Sequence, residues 1–295
     1  MSAGDRFNTG AAGPLLPPPP PNRGYANAAA ASFSHALILM LRRQRVLLAA
    51  GITMLPVIIP LALAFLLNSQ YSDDGNVNFI RLAEDIYINV LAPLLALFFA
   101  TMLVGEDAES QTLPYTLTRP IPRSAWVLGR FAAYGVVSCA ILCTSLFITF
   151  AACTTLEGLS FAPDDLRLAA HYAAVACANL FATGALTMFL GAYFKRPIVV
   201  GVLLLYGWQY LANLVPGVVD FLTIQKYTDA LLPQLAESRH NVEIRTALLT
   251  YSKEIFMVSA SKALLTLAGI VVGFVAATVI TVRRREFASA RAAGG

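Results

Sequence analysis

Phe131-Ala-Ala-Tyr-Gly-Val-Val-Ser-Cys-Ala-Ile-Leu-Cys-Thr-Ser-Leu-Phe-Ile-Thr-Phe-Ala-Ala-Cys-Thr-Thr-Leu156 runs for 26 residues without an Asp, Glu, Lys or Arg. An α-helix rises about 1.5 Å per residue, so roughly 20 such residues cross the hydrocarbon core of a bilayer. Five more runs meet the same requirement: 46–67, 86–105, 168–194, 197–219 and 263–282, none of them holding an acid, a Lys or an Arg. His171 is the one imidazole among the six. The expected fold is therefore all-α: a polytopic membrane protein of six transmembrane helices.

Composition agrees. The chain is 57% hydrophobic and 13% charged, where soluble domains carry roughly a quarter charged residues. The charges gather in short clusters between long uncharged runs. A net charge of +4 raises nucleic acid as a partner, but that role needs cations collected on one soluble face without lipid-sized runs between them, so no nucleic-acid partner is expected. Cys139, Cys143, Cys153 and Cys177 all lie in or beside apolar runs, where a thiol behaves as a small hydrophobe; their spacing matches neither a zinc site nor a disulfide framework.

The N-terminal 32 residues contain no apolar core of the secretory type, so insertion is expected to depend on the internal spans. Residues 1–27, with Pro17 to Pro21, are rich in Gly, Pro and Asn and read as a disordered, Pro-rich cytoplasmic tail. In residues 28–45, Phe33, Leu37, Met40 and Leu41 recur at helical spacing and are followed by Arg42, Arg43 and Arg45. This suits either a helix lying in the membrane interface or the cytoplasmic start of the first span. Residues 28–295 form one membrane domain.

Lys and Arg in short flanks resist translocation and mark the cytoplasmic side. One side collects Arg42, Arg43 and Arg45, then Arg119, Arg123 and Arg130, then Lys195 and Arg196, then Arg283, Arg284 and Arg285. The other has only Arg81 and Arg167 in its first two loops, which puts both termini inside. Pro56, Pro60 and Pro93 fall within spans and predict kinks, either hinges or static packing features. The external loop 219–262 carries Leu231, Leu235, Ile244 and Leu248 at helical intervals, predicting short amphipathic helices; a small folded lid is the alternative.

No paired acid, base or metal ligands stand at bilayer depth, so no catalytic, cofactor or metal site is expected. Asp73, Asp74, Glu84, Asp85, Glu157, Asp164 and Asp165 are read as outer-loop residues. The same shortage of buried acids weighs against a gradient-driven secondary carrier. His171 and Asn179 are read as helix-packing residues that act through hydrogen bonds. None of the four lysines, Lys195, Lys226, Lys253 and Lys262, has the preceding Gly and following Ser or Thr of a phosphate-binding loop, so any ATPase must be a separate polypeptide.

The most informative stretch lies between the second and third runs, residues 105–130: Gly105-Glu-Asp-Ala-Glu-Ser-Gln-Thr-Leu-Pro-Tyr-Thr-Leu-Thr-Arg-Pro-Ile-Pro-Arg123-Ser-Ala-Trp-Val-Leu-Gly129-Arg130. Glu106, Asp107 and Glu109 would occupy the first turn of a short helix, where the dipole favours carboxylates. Pro114 limits that helix, and Pro120 and Pro122 stiffen the return.

In Glu106-Asp107-x-Glu109, Thr112-Leu113-x-Tyr115, Thr118-Arg119-Pro120-Ile121-x-Arg123 and Leu128-Gly129-Arg130, the chain resembles the ABC-2 type permeases, the membrane subunits of ATP-binding cassette transporters. Gln111 stands where many members have Gly. The resemblance implies that Glu106, Asp107, Glu109, Thr112, Leu113, Tyr115, Arg119, Pro120 and Arg123 form the coupling element seated in a cytoplasmic ATPase, which binds the ATP. It further implies an elbow-like interfacial helix at 33–45, pairing with a second permease chain as a homodimer, export as the direction, and a cell (inner) membrane location. A membrane anchor or scaffold without transport is the rival from another class.

Overall fold

The computed structural model describes residues 24–66, 75–103, 122–214, 218–232, 241–245, 250–254 and 258–284. Helix α1 spans Tyr25–Met40. The first long run is α2 (Arg43–Met54), a 3₁₀ turn (Leu55–Val57) and α3 (Ile58–Leu66). Then come α4 (Gly75–Leu103), α5 (Arg123–Cys153), α6 (Pro163–Tyr193), α7 (Pro197–Gly207) and α8 (Trp208–Leu214). A 3₁₀ turn (Val218–Leu222), α9 (Ile224–Asp229), strands β1 (Asn241–Arg245) and β2 (Thr250–Glu254), and α10 (Ala260–Arg284) complete the order.

Five of these helical runs are long and apolar enough to cross a membrane: Arg43–Phe65, Gly75–Leu103, Arg123–Cys153, Pro163–Tyr193 and Ala260–Arg284. The sixth expected run, 197–219, contains the apolar helix Pro197–Gly207, shorter than a bilayer, which continues as α8. Helices α4 and α6 form the centre, with 67% and 72% of their most apolar windows buried, while the first run and α10 have 22% buried and lie at the edge. Tyr87, Tyr134, Phe99, Phe150, Leu142 and Leu146 fill the shared core.

Close approach between α5 and α6 depends on two glycines. A Cβ on Gly135 would run into the Phe181 ring, and one on Gly184 into the Tyr134 ring. Tyr134 donates to the Leu180 carbonyl at 2.9 Å, so the ring that needs Gly184 is also hydrogen-bonded where it lands.

The prolines are accommodated in two different ways. Pro56 cannot donate to Ile52 O, its α-helical acceptor; the chain tightens to 3₁₀ and Leu55 N–H serves Ile52 O instead. Around Pro93 the chain widens, with π-helical stretches at Leu82–Leu91 and Ala96–Ala100. Ala92 N–H bonds five residues back, to Tyr87 O. The next bond in that register would run from Pro93 to Ile88 O, and proline has no hydrogen to give. Asn179 Nδ2 of α6 supplies it, donating to Ile88 O at 2.7 Å. Tyr206 and Thr187 similarly donate to Val90 O and Ala96 O at 2.9 and 3.2 Å. Neighbouring side chains thus satisfy carbonyls that lipid could not.

A second polar group joins three helices. Ser145 gives its one hydroxyl hydrogen to Thr53 O. The Tyr87 Oη to Ser145 Oγ contact at 2.6 Å must then have Tyr87 as donor, leaving Thr149 to donate to Tyr87 across a further 2.6 Å. The chain Thr149 to Tyr87 to Ser145 to Thr53 O links α5, α4 and α2 within the core.

Three expectations need correction. Glu84 and Asp85 are not loop residues but lie within α4, where Glu84 Oε1 accepts from Tyr172 Oη at 2.9 Å; a helix can outrun the hydrocarbon and carry charge at its interfacial end. Asp164 and Asp165 likewise sit in the first turn of α6, where Asp165 accepts from Ser160 N and Oγ at 2.9 Å each. In the external segment a short helix does occur, but at Ile224–Asp229, with Leu231 in the turn that follows it, and Ile244 belongs to a strand: β1 and β2 pair antiparallel from Asn241↔Glu254 to Arg245↔Thr250. The Asn-Val-Glu-Ile-Arg alternation has the two-residue period of a strand, which outweighs the wider helical spacing. Leu235 and Leu248 lie outside the described residues.

Candidate functional site

Glu106, Asp107, Glu109, Thr112, Leu113, Tyr115, Arg119 and Pro120 lie outside the described residues. The segments on either side of them are described, and so is Arg123. The described part of α4 runs to Leu103, and α5 begins at Arg123 with Pro122 as its N-cap.

Both ends are tied to other helices. Arg130, two turns into α5, is 2% exposed, donates from Nη1 to the Leu103 carbonyl, and stacks its guanidinium on the Trp126 ring at 4.1 Å. A charged donor to a carbonyl makes one of the stronger hydrogen bonds, so a buried guanidinium is a fitting partner for Leu103 O. Arg123 does the same for a different helix, donating from Nη1 to Val282 O at 3.3 Å and to Arg283 O at 2.7 Å in the last turn of α10.

Helix α1 completes this end. Its buried residues, Ala28, Ser32, Ala36 and Met40, recur every fourth position, giving a stripe narrow enough for backbone contact with α5. Ser32 Oγ donates to Trp126 O at 2.8 Å. A Cβ on Gly129 would overlap the Ala29 carbonyl and lie 2.9 Å from Phe33 N, so Gly129 is required by the approach itself. Phe33 and Leu37 pack against the core beside this stripe, whereas Leu41 is exposed. A break at Leu41 and Arg42 separates α1 from α2, so α1 is a helix in its own right and not merely the first turns of the span.

The basic flanks identified in the sequence converge here. Arg45 lines the same small cleft as Arg130, Leu103 and Met40; Arg123 meets Arg283; and Gly191, just before Lys195 and Arg196, packs against Thr101 near the end of α4. At the opposite end, Gly75 N donates to Glu157 O at 2.6 Å and His171 Nε2 meets Leu231 O at 2.9 Å.

Of the sequence-predicted site residues, then, the structure places Arg123 and gives it a partner on α10. Arg130, Trp126 and Gly129 belong to the same site through burial and contact; Gly129 and Arg130 were noticed only as part of a motif. These contacts among basic helix segments accompany a family assignment: residues 38–207, more than half of the chain, match the ABC-2 family transporter proteins.

The chain belongs to that family. It is thus an integral membrane component of the ABC-2 transporter type, and members of the family are not themselves the ATP-binding subunit. A comparison with curated proteins gave no match.

Proposed function

We propose that this chain is the permease half of an ATP-driven exporter: two copies form the translocation pathway as a homodimer, and each is coupled to a separate cytoplasmic ATPase through residues 105–130. ATP binds to that partner and not to this chain. In this reading Glu106, Asp107, Glu109, Thr112, Leu113, Tyr115, Arg119, Pro120 and Arg123 form the docking surface. Arg and aromatic side chains supply its affinity, and the acids supply orientation and rate. The basic end of the bundle faces the cytoplasm, with both termini on that side, in the cell (inner) membrane. Helix α1 lies along the interface as an elbow, and 197–214 serves as a sixth, short crossing.

One observation carries the mechanical part of the reading. The loop's entry and exit are held to other helices by Arg130 on Leu103 O and Arg123 on Val282 O and Arg283 O. A push from a closing ATPase dimer on such a base is delivered to α4 and α5 as one body and only through the weaker Arg123 contact to α10, and a shift in the ATPase becomes a shift in the population of inward- and outward-open bundles. The loop transmits displacement and performs no bond chemistry.

Deletion of Glu106 to Leu113 tests this directly. The shortened chain is expected to insert normally and to lose co-purification with its ATPase. Retention of the ATPase by an inserted, deleted chain refutes the docking assignment.

A further inference from the structure

Three of the four thiols, distant in sequence, come together between two helices. Cys139 and Cys143 are one turn apart on α5 and Cys177 faces them from α6. Cys143 Sγ is 3.4 Å from Cys177 Sγ, with Cys139 one turn before Cys143 on α5. All three are free thiols, and all are half-buried. The approach is set by the helices and not by flexible ends: Phe181 occupies the notch at Gly135 and Tyr134 the notch at Gly184, which hold α5 and α6 close along the same face.

We propose that Cys143 and Cys177 are a redox modification site, joined as a disulfide by a small uncharged peroxide that reaches them through the bilayer. One thiol is oxidised to a sulfenic acid as the peroxide O–O bond breaks and one water leaves. The second sulfur displaces the sulfenic oxygen as a second water, forming the S–S bond. Two thiols and one hydrogen peroxide thus give one disulfide and two waters, with two electrons passing from sulfur to peroxide oxygen.

Charge decides between this product and a metal thiolate. A monovalent soft cation such as Cu(I) held by two thiolates would leave a net negative charge at bilayer depth, which is costly, whereas the disulfide is neutral and apolar like the thiols it replaces. Exposure points the same way, since the sulfurs are half-buried and not enclosed, and oxidation of a thiol follows its accessibility. Bonding requires the sulfurs to close from 3.4 Å to about 2.05 Å, a small adjustment that would fasten α5 to α6.

The experiment treats the full-length chain, in its native membranes, with hydrogen peroxide. Free thiols are then counted by maleimide labelling after denaturation, and the cross-linked peptide is mapped by mass spectrometry. The expected result is loss of two of the four thiols within a single chain, a peptide pair containing Cys143 and Cys177, and full recovery on reduction. C139S is expected to keep this cross-link, and C177S to retain all of its remaining thiols after the same treatment. Four thiols surviving peroxide overturn the proposal, as does a cross-link between two chains or one mapped to Cys139 or Cys153. None of these outcomes depends on transport or on an ATPase.

Discussion

Substituting Asn179 by Leu should expose the dependence of α4 on a donor that its own sequence lacks. Asn179 is 4% exposed and donates at 2.7 Å to Ile88 O, the carbonyl that Pro93 leaves unserved in the π register. Leu keeps the branched outline of the Asn side chain but is bulkier, so the variant removes the hydrogen bond and adds a packing change that is common to both backgrounds of the cycle below. A buried carbonyl left without a partner costs about 1–3 kcal/mol. Side-chain hydrogen bonds between helices in bilayers, however, average nearer 0.6 and reach about 1.7 kcal/mol. The expected loss is therefore about 1–1.5 kcal/mol.

The decisive measurement is a double-mutant cycle on detergent-solubilised protein, read by denaturant or thermal unfolding. Pro93→Ala restores a backbone N–H that can reach Ile88 O at i−5. In that background Asn179→Leu should cost much less than it does alone. Independent sites add to within about 0.3–0.5 kcal/mol. If the cost of Asn179→Leu is the same with and without Pro93, the account of Asn179 as a replacement donor is refuted.

Two further substitutions test the same style of reasoning elsewhere. Tyr87→Phe removes the middle of the hydroxyl chain, leaving Thr149 without its acceptor while Ser145 keeps Thr53 O; a loss of about 1 kcal/mol is expected in unfolding measurements, and an unchanged midpoint would mean that the chain contributes nothing. Gly129→Ala places a methyl against the Ala29 carbonyl and 2.9 Å from Phe33 N, so α1 must lift from α5. Increased protease cleavage within 25–41 is expected with the rest of the bundle intact, and equal cleavage rates would contradict the packing of α1.

Much of the fold was legible because lipid enforces a simple rule on long apolar runs. Where the reading fell short, the missing information lay in contacts between helices distant in sequence. Helix α5 begins at Arg123, eight residues before the uncharged run at Phe131, and the two arginines that look like flanking charge are hydrogen-bonded to carbonyls of α4 and α10. Nothing local to Arg130 announces its burial. Nor does anything near Cys143 point to Cys177; the visible signal was only the four-residue spacing of Cys139 and Cys143 on one helical face. The stripe Ala28, Ser32, Ala36 and Met40 is present in the sequence, but small residues every fourth position carry weaker hydropathy than the neighbouring Phe33 and Leu37. In β1, period-2 alternation was available and was overridden by expecting helices throughout.

The two arginines of the helix-end cluster also differ in what they would do under load. Arg130 is enclosed, stacked on Trp126 and bonded to Leu103 O, so α4 and α5 move as one body at this end. Arg123 holds α10 at its surface, where water can replace it, as the exposure of its 2.7 Å bond to Arg283 O indicates. A guanidinium at an exposed helix C-terminus contributes about 0.3–1 kcal/mol, too little to be a permanent weld and comparable with thermal energy. In the proposed exporter α10 is thus the helix that can part from the others when the loop is displaced, while α4 and α5 follow it rigidly. Helix α10 and the first run are the least buried of the five described candidate spans, but α10 still packs along α6, so the joint is its Arg123-held end and not the whole helix.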